Sequence, residues 1–168
     1  MNIQELEEIL EQAKQAMNTY KYNDAEMLSG KVIDADLLCQ NSSKITTYLS
    51  LAYRIHADSL VKRGLVQQAL PFAQKALAFS IEVNNVEQAH TLSLLGRIYT
   101  RTSEIEKATE CYQQAIILYK ELEVKVEVAN CIVNIGVIQF LTSDYQLSLE
   151  NFQKALAIFK DIKNETAM

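Results

Sequence analysis

The sequence predicts an all-α fold, a stack of about four antiparallel helical hairpins and so about eight helices. Three observations carry this: few chain-breaking residues, apolar residues at helical spacing, and an internal repeat. The 168 residues are 49% hydrophobic yet include only four Gly and one Pro, too few for the turns of an all-β fold. Leu95-Gly96-Arg97-Ile98-Tyr99, followed by Ala108, Tyr112 and Ala115, matches Ile135-Gly136-Val137-Ile138-Gln139, followed by Ser148, Phe152 and Ala155, and the two glycines stand 40 residues apart. A period of that length holds one hairpin, which cannot bury its apolar side alone and must stack on a neighbour.

Two further copies precede these. Ala57 takes the glycine position in one, with Ala69, Ala73, Ala76 and Leu77 after it. Ala13 takes it in the first, followed by Tyr22, Ala25 and Val32. The repeats run over roughly 3–38, 46–82, 86–121 and 126–162, a single array across 1–168. Helices approach closely only where side chains are small, so Gly96 should meet Ala108, and Gly136 should meet Ser148. Tyr99, Tyr112 and Phe152 lie three or four residues from these positions, with Leu156 one turn beyond Phe152, and all four should wedge between consecutive hairpins. Ser103-Glu104-Ile105-Glu106 and Ser143-Asp144-Tyr145-Gln146 read as capping boxes opening second helices, and Asn85-Val86-Glu87-Gln88 as one opening a first helix. Pro71, early in a second helix, should bend that turn without breaking it.

These residues resemble the tetratricopeptide repeat (TPR) family, whose pattern of a large residue, Leu-Gly, Tyr, Ala, aromatic and Ala is met most fully from Leu92 through Ala115. The long repeat, and the stretch Ala69-Leu70-Pro71-Phe72-Ala73-Gln74-Lys75-Ala76-Leu77, resemble the branch found in kinesin light chains, the Pins/LGN adaptors and bacterial regulators. The first copy departs most: Ala13, Ala16, Ser29 and Val32 stand where Gly, Tyr, an aromatic and Ala are usual. The family's Trp is replaced by Ile9, Tyr53, Leu92 and Ile132. The resemblance implies a right-handed superhelix whose first helices line a concave groove that holds a protein or peptide.

Projected onto that groove, the contact residues are Arg54 and Asp58; His90, Ser93, Arg97 and Arg101; and Asn130, Val133, Asn134 and Val137. Arg54, Arg97 and Arg101 offer forked donors that suit an acidic or C-terminal peptide. Asn130 and Asn134, one turn apart, suit the main chain of an extended peptide. The plainer alternative is that the arginines pair with neighbouring acids, Asp58 neutralising Arg54. The carboxylate clamp of chaperone adaptors wants Lys and Asn, then Asn, then Lys and Arg. Arg54 and Asp58, then Leu94, then Asn130 and Asn134 do not match it.

Other classes find little support. A net charge of -5 disfavours nucleic acid, which needs clustered Lys and Arg. The start, Met1-Asn2-Ile3-Gln4-Glu5-Leu6-Glu7-Glu8, is acidic where an export signal is basic, and no apolar run reaches the ~20 residues of a membrane span. Cys39, Cys111 and Cys131, an odd set without metal spacing, fit a reducing cytoplasm. His90 stands three residues after Glu87, but with His56 as the sole other histidine no third ligand or triad emerges, so neither catalysis, metal nor cofactor is expected. His56 and the two later cysteines read as core residues, Gly30, Gly64, Gly96 and Gly136 form no phosphate loop, and the tyrosines and phenylalanines fall at packing spacing.

The last helix keeps Leu147, Leu149, Phe152, Leu156, Ile158, Phe159 and Ile162, more apolar surface than one neighbour covers. Lys163 to Met168 reads as a linker to a further hairpin, so either the array continues or this face pairs with a second copy. The function expected is a protein–protein interaction scaffold; the alternative is a regulatory input domain of a larger bacterial signalling protein.

Overall fold

The computed structural model describes residues 2–35, 43–81 and 85–165. The described residues form eight helices and no strand: α1 (Ile3–Asn18), α2 (Tyr22–Ile33), α3 (Ser43–Lys62), α4 (Val66–Ser80), α5 (Asn85–Arg101), α6 (Ile105–Glu121), α7 (Lys125–Leu141) and α8 (Tyr145–Glu165). Each helix packs on the next, and the odd helices also touch one another, α1 on α3, α3 on α5, α5 on α7. This is a helical repeat stack, in which each hairpin is covered by its neighbours.

The core follows from the small residues. Ala57, Ala69, Ala73, Ala76, Ala89, Ala108, Ala115 and Ala129 are wholly buried, and they let helix backbones close in while Leu60, Leu92, Leu95, Ile98, Tyr112 and Tyr119 fill the remaining space. Burying each large side chain contributes about 1.5–3 kcal/mol. A second cluster joins α1 to α4 through Leu6, Leu10, Val32, Ile45, Leu49 and Tyr53. The first hairpin thus packs like the others, with Ala13, Ala25 and Val32 fully buried.

The close approach at the glycines differs from the expected pairing. A Cβ on Gly96 would lie 2.7 Å from the Tyr112 ring, and one on Gly136 would lie 2.8 Å from that of Phe152. The nearest neighbour is the aromatic of the second helix, lying against bare backbone, rather than the small residue one turn earlier. Ser148 still reaches Gly136, donating its hydroxyl proton to the carbonyl at 2.8 Å.

The capping-box expectation also needs correction. Ser103 and Ser143 have φ of 63° and 68°, so each sits in the left-handed turn that ends the preceding helix. The amides of Glu104 and Asp144 reach back to Tyr99 O at 2.9 Å and Gln139 O at 2.8 Å, the six-to-one bond of a Schellman turn. Tyr20, Gly64 and Glu123 occupy the same place in three other connections, with φ of 61°, 84° and 58°. Asn85 is the first residue of α5, and the stretch before it lies outside the described residues. The reciprocal capping box is at Asn2, whose side chain accepts from the Glu5 amide while its own amide donates to the Glu5 carboxylate, both at 2.8 Å.

Pro71 lies inside α4, which runs unbroken from Val66 to Ser80. At the other end α8 continues through Glu165, so Lys163, Asn164 and Glu165 are helical rather than a linker. Phe152 and Leu156 are not wedged between hairpins. They stay 36% and 52% exposed, with Leu147, Leu149 and Phe159 beside them, because no described helix packs on that side of α8. Tyr20, Phe140 and Tyr145 are likewise exposed rather than core. Among the described residues no helix is long and apolar enough to cross a membrane.

Candidate peptide-binding surface

The surface shared by α3, α5 and α7 carries several of the polar contacts between hairpins. Arg54 of α3 engages Glu87 of α5 at two points, Nε to Oε2 at 2.8 Å and Nη2 to Oε1 at 3.3 Å, with the side chains 20% and 15% exposed. Arg97 pairs with Asp58, again across α3 and α5. Arg101 donates from Nη1 to the Val61 carbonyl at 2.8 Å, one of the last acceptors of α3. All three arginines therefore serve as stitches between neighbouring hairpins. Their partners follow from the stacking offset, which sets Arg54 beside Glu87 and Asp58 beside Arg97, not Asp58 beside Arg54.

His90 is half-buried. Its Nδ1 lies 2.7 Å from the Tyr119 hydroxyl, and burial, then the nearby Arg54 charge, hold its pKa below the ordinary value. Ser93 receives a weak contact from the Cys131 thiol at 3.9 Å. Asn130 donates from Nδ2 to Glu127 Oε2 at 3.2 Å. Asn134 and Val133 are half-buried and Val137 is exposed.

A polar cavity of about 230 Å³ opens between these helices, lined by Arg54, Asp58, His90, Ser93, Arg97, Tyr119 and Glu127 among others. It gathers five of the residues projected from the sequence. Arg101, Asn130, Val133, Asn134 and Val137 are not in its lining; the last four form a separate strip along α7. Glu87, Tyr119 and Glu127 are the participants the sequence reading did not place there. Glu87 was visible three residues before His90, but its partner is Arg54, a contact only the stacking creates. A larger open cavity of about 1000 Å³ lies elsewhere, between the ends of α6 and α8, with Val124, Val128, Ile158 and Ile162 in its lining.

The other candidate chemistry resolves into packing. His56 packs on Phe72 with ring centroids 4.3 Å apart and planes tilted by 37°, and its Nδ1 lies 3.2 Å from the Ser29 hydroxyl. Cys111 and Cys131 are free thiols, each pushed up to about 11 by burial; Cys39 lies outside the described residues. Among the described residues no group of three or more His, Cys, Asp or Glu is placed to hold a metal.

Eight helices paired into stacked hairpins, with interlocking polar contacts along one row of helices, define a helical-repeat protein. The family profile described as Tetratricopeptide repeat matches residues 48–121 and 87–161, more than half of the chain, and the chain belongs to that family. The comparison with curated proteins gives no match. Among solved structures the chain is similar to MamA, at 23% identity and a TM-score of 0.70, covering 95% of this chain and 81% of that one. It is similar to MamA from Desulfovibrio magneticus RS-1 at 20% identity and a TM-score of 0.68, covering 93% and 76%. It also resembles a putative kinesin light chain from Podosopora anserina, described as having nearly identical TPR-like repeats, at 14% identity and a TM-score of 0.59, covering 98% and 99%. At these identities the likeness concerns the fold.

Proposed function

We propose that this chain is a protein–protein interaction scaffold, residues 1–168 acting as one array, and that it holds a peptide or helix of a partner against α3, α5 and α7 without catalysing a reaction. Membership of the tetratricopeptide repeat family supports the reading. The observation that carries it is the polar cavity between the odd helices, together with the separate strip of Asn130, Val133, Asn134 and Val137 along α7. There Asn134 has no hydrogen-bonded partner among the described residues, and Val137 is 39% exposed, so both are open to a partner's main chain and side chains. Free thiols at Cys111 and Cys131 support a reducing, cytoplasmic setting.

Peptides selected from a random display library against the immobilised chain test this. Binding should be lost in Asn134→Ala and in Val137→Asp while the melting temperature is unchanged, because neither side chain holds the fold. Binding that survives both changes refutes the placement.

A specific observation also supports self-association. Tyr145, Leu149, Phe152, Leu156 and Phe159 are spaced by four, three, four and three residues and are all at least 36% exposed, the seam of a two-helix coiled coil. The opposite end of the stack differs, since the outer face of α1 is exposed Gln4, Glu8, Glu11 and Gln15. Head-to-tail stacking would bury those acids against leucines. An antiparallel pairing of α8 with α8 of a second copy meets no such cost: Leu149 meets Phe159, Phe152 meets Leu156, and Gln146 and Lys160 flank the seam.

A further inference from the structure

We propose that the cavity between α3, α5 and α7 takes a cationic side chain, the ammonium of a lysine or the guanidinium of an arginine from the bound peptide, with Glu127 as its counter-ion. The inference rests on the scaffold reading above and names the chemistry of its partner. It reverses the preference for an acidic peptide that the arginines suggest in the sequence.

The charges around the cavity decide the sign. Two basic groups are present, and each already has its acid: Arg54 is held at two points by Glu87, and Arg97 by Asp58. A third acid, Glu127, lines the same cavity. Among the described residues its carboxylate accepts only the neutral Asn130 amide, at 3.2 Å. With Arg54, Arg97, Asp58, Glu87 and Glu127 counted together, one negative charge is left without a cation.

His90 does not supply that cation near neutral pH. Its Nδ1 is taken by the Tyr119 hydroxyl, and burial together with Arg54 favours the neutral ring. Glu127 is half-buried, so its charge is less screened than one in open water, and an incoming cation gains more from it. The Ser93 and Tyr119 hydroxyls on the same wall add acceptors for a multi-donor head group. An incoming carboxylate finds the reverse, with arginine donors already spent and an uncompensated acid facing it.

The display selection described above gives the test. Selected peptides should share a Lys or Arg, and their affinity for E127Q should fall at least tenfold. Norleucine in place of the shared base should weaken binding to the unaltered chain comparably while changing binding to E127Q little, so that the two losses are not additive. This peptide-side change keeps the test valid whatever E127Q does to folding. Peptides lost on Asn134→Ala or Val137→Asp that lack a base, or bind E127Q equally well, overturn the cation proposal and leave the scaffold surface standing. Peptides indifferent to those two changes overturn both.

Discussion

Gly96 and Gly30 show how far one side chain's surroundings govern a position. Both are helical, yet a methyl on Gly96 would meet a fully buried Tyr112 ring at 2.7 Å, whereas one on Gly30 would meet the edge of His56 at 3.8 Å. Gly96→Ala is therefore expected to lower stability by about 1–3 kcal/mol through overpacking, and Gly30→Ala to raise it by about 0.5–1 kcal/mol through helix propensity. Chemical denaturation of the two variants checks both signs. The buried titratable groups set a pH window in the same way. His56 and His90 have pKa values lowered from 6.5, in each case chiefly by burial. Their stabilisation is present above about 6.5 and lost as pH falls through the depressed folded values. Cys111 and Cys131 are raised from 9.0 to about 11, so stability also falls as pH rises from about 9 through 11. Melting temperatures across pH should peak between these limits, and His56→Gln with His90→Gln should flatten the acid side.

At the scale of the element, helix positions were legible because small and large residues recur in register. Turn chemistry was not. Ser103 followed by an acidic residue has the composition of an N-cap, but the six-to-one bond from Glu104 to Tyr99 places it in the left-handed turn. Composition cannot separate the two readings, since a serine suits either end of a short connection. Pro71 is the clearest element-scale test. It occupies the interior of a continuous α4, where it forfeits a backbone hydrogen bond to Gln67. Pro71→Ala should raise stability by about 2 kcal/mol, read as a higher denaturation midpoint with unchanged helix content.

For the whole molecule the two ends of the stack are unlike. The outer face of α1 is polar and acidic, while the outer face of α8 carries an exposed apolar seam. Sedimentation equilibrium of the chain is expected to give a dimer, and Leu149→Lys with Leu156→Lys a folded monomer. A monomer before substitution would sink the pairing. Such a dimer would carry two copies of the proposed surface, and a bivalent partner would then bind it more tightly than a monovalent one.

The sequence by itself determined the repeat, the all-helical class and which side chains the odd helices carry. These depend on periodicity, which reports side-chain size and polarity along one chain. Only the tertiary structure decided what those side chains do. Arg54, Arg97 and Arg101 look like ligand donors until the stacking of α5 on α3 sets Glu87, Asp58 and the Val61 carbonyl against them. Glu127, unremarkable in the sequence, becomes the uncompensated charge of the cavity because every neighbouring base is already paired. Charge balance at a surface is a sum over helices some 30 to 40 residues apart, and it exists only once they are packed.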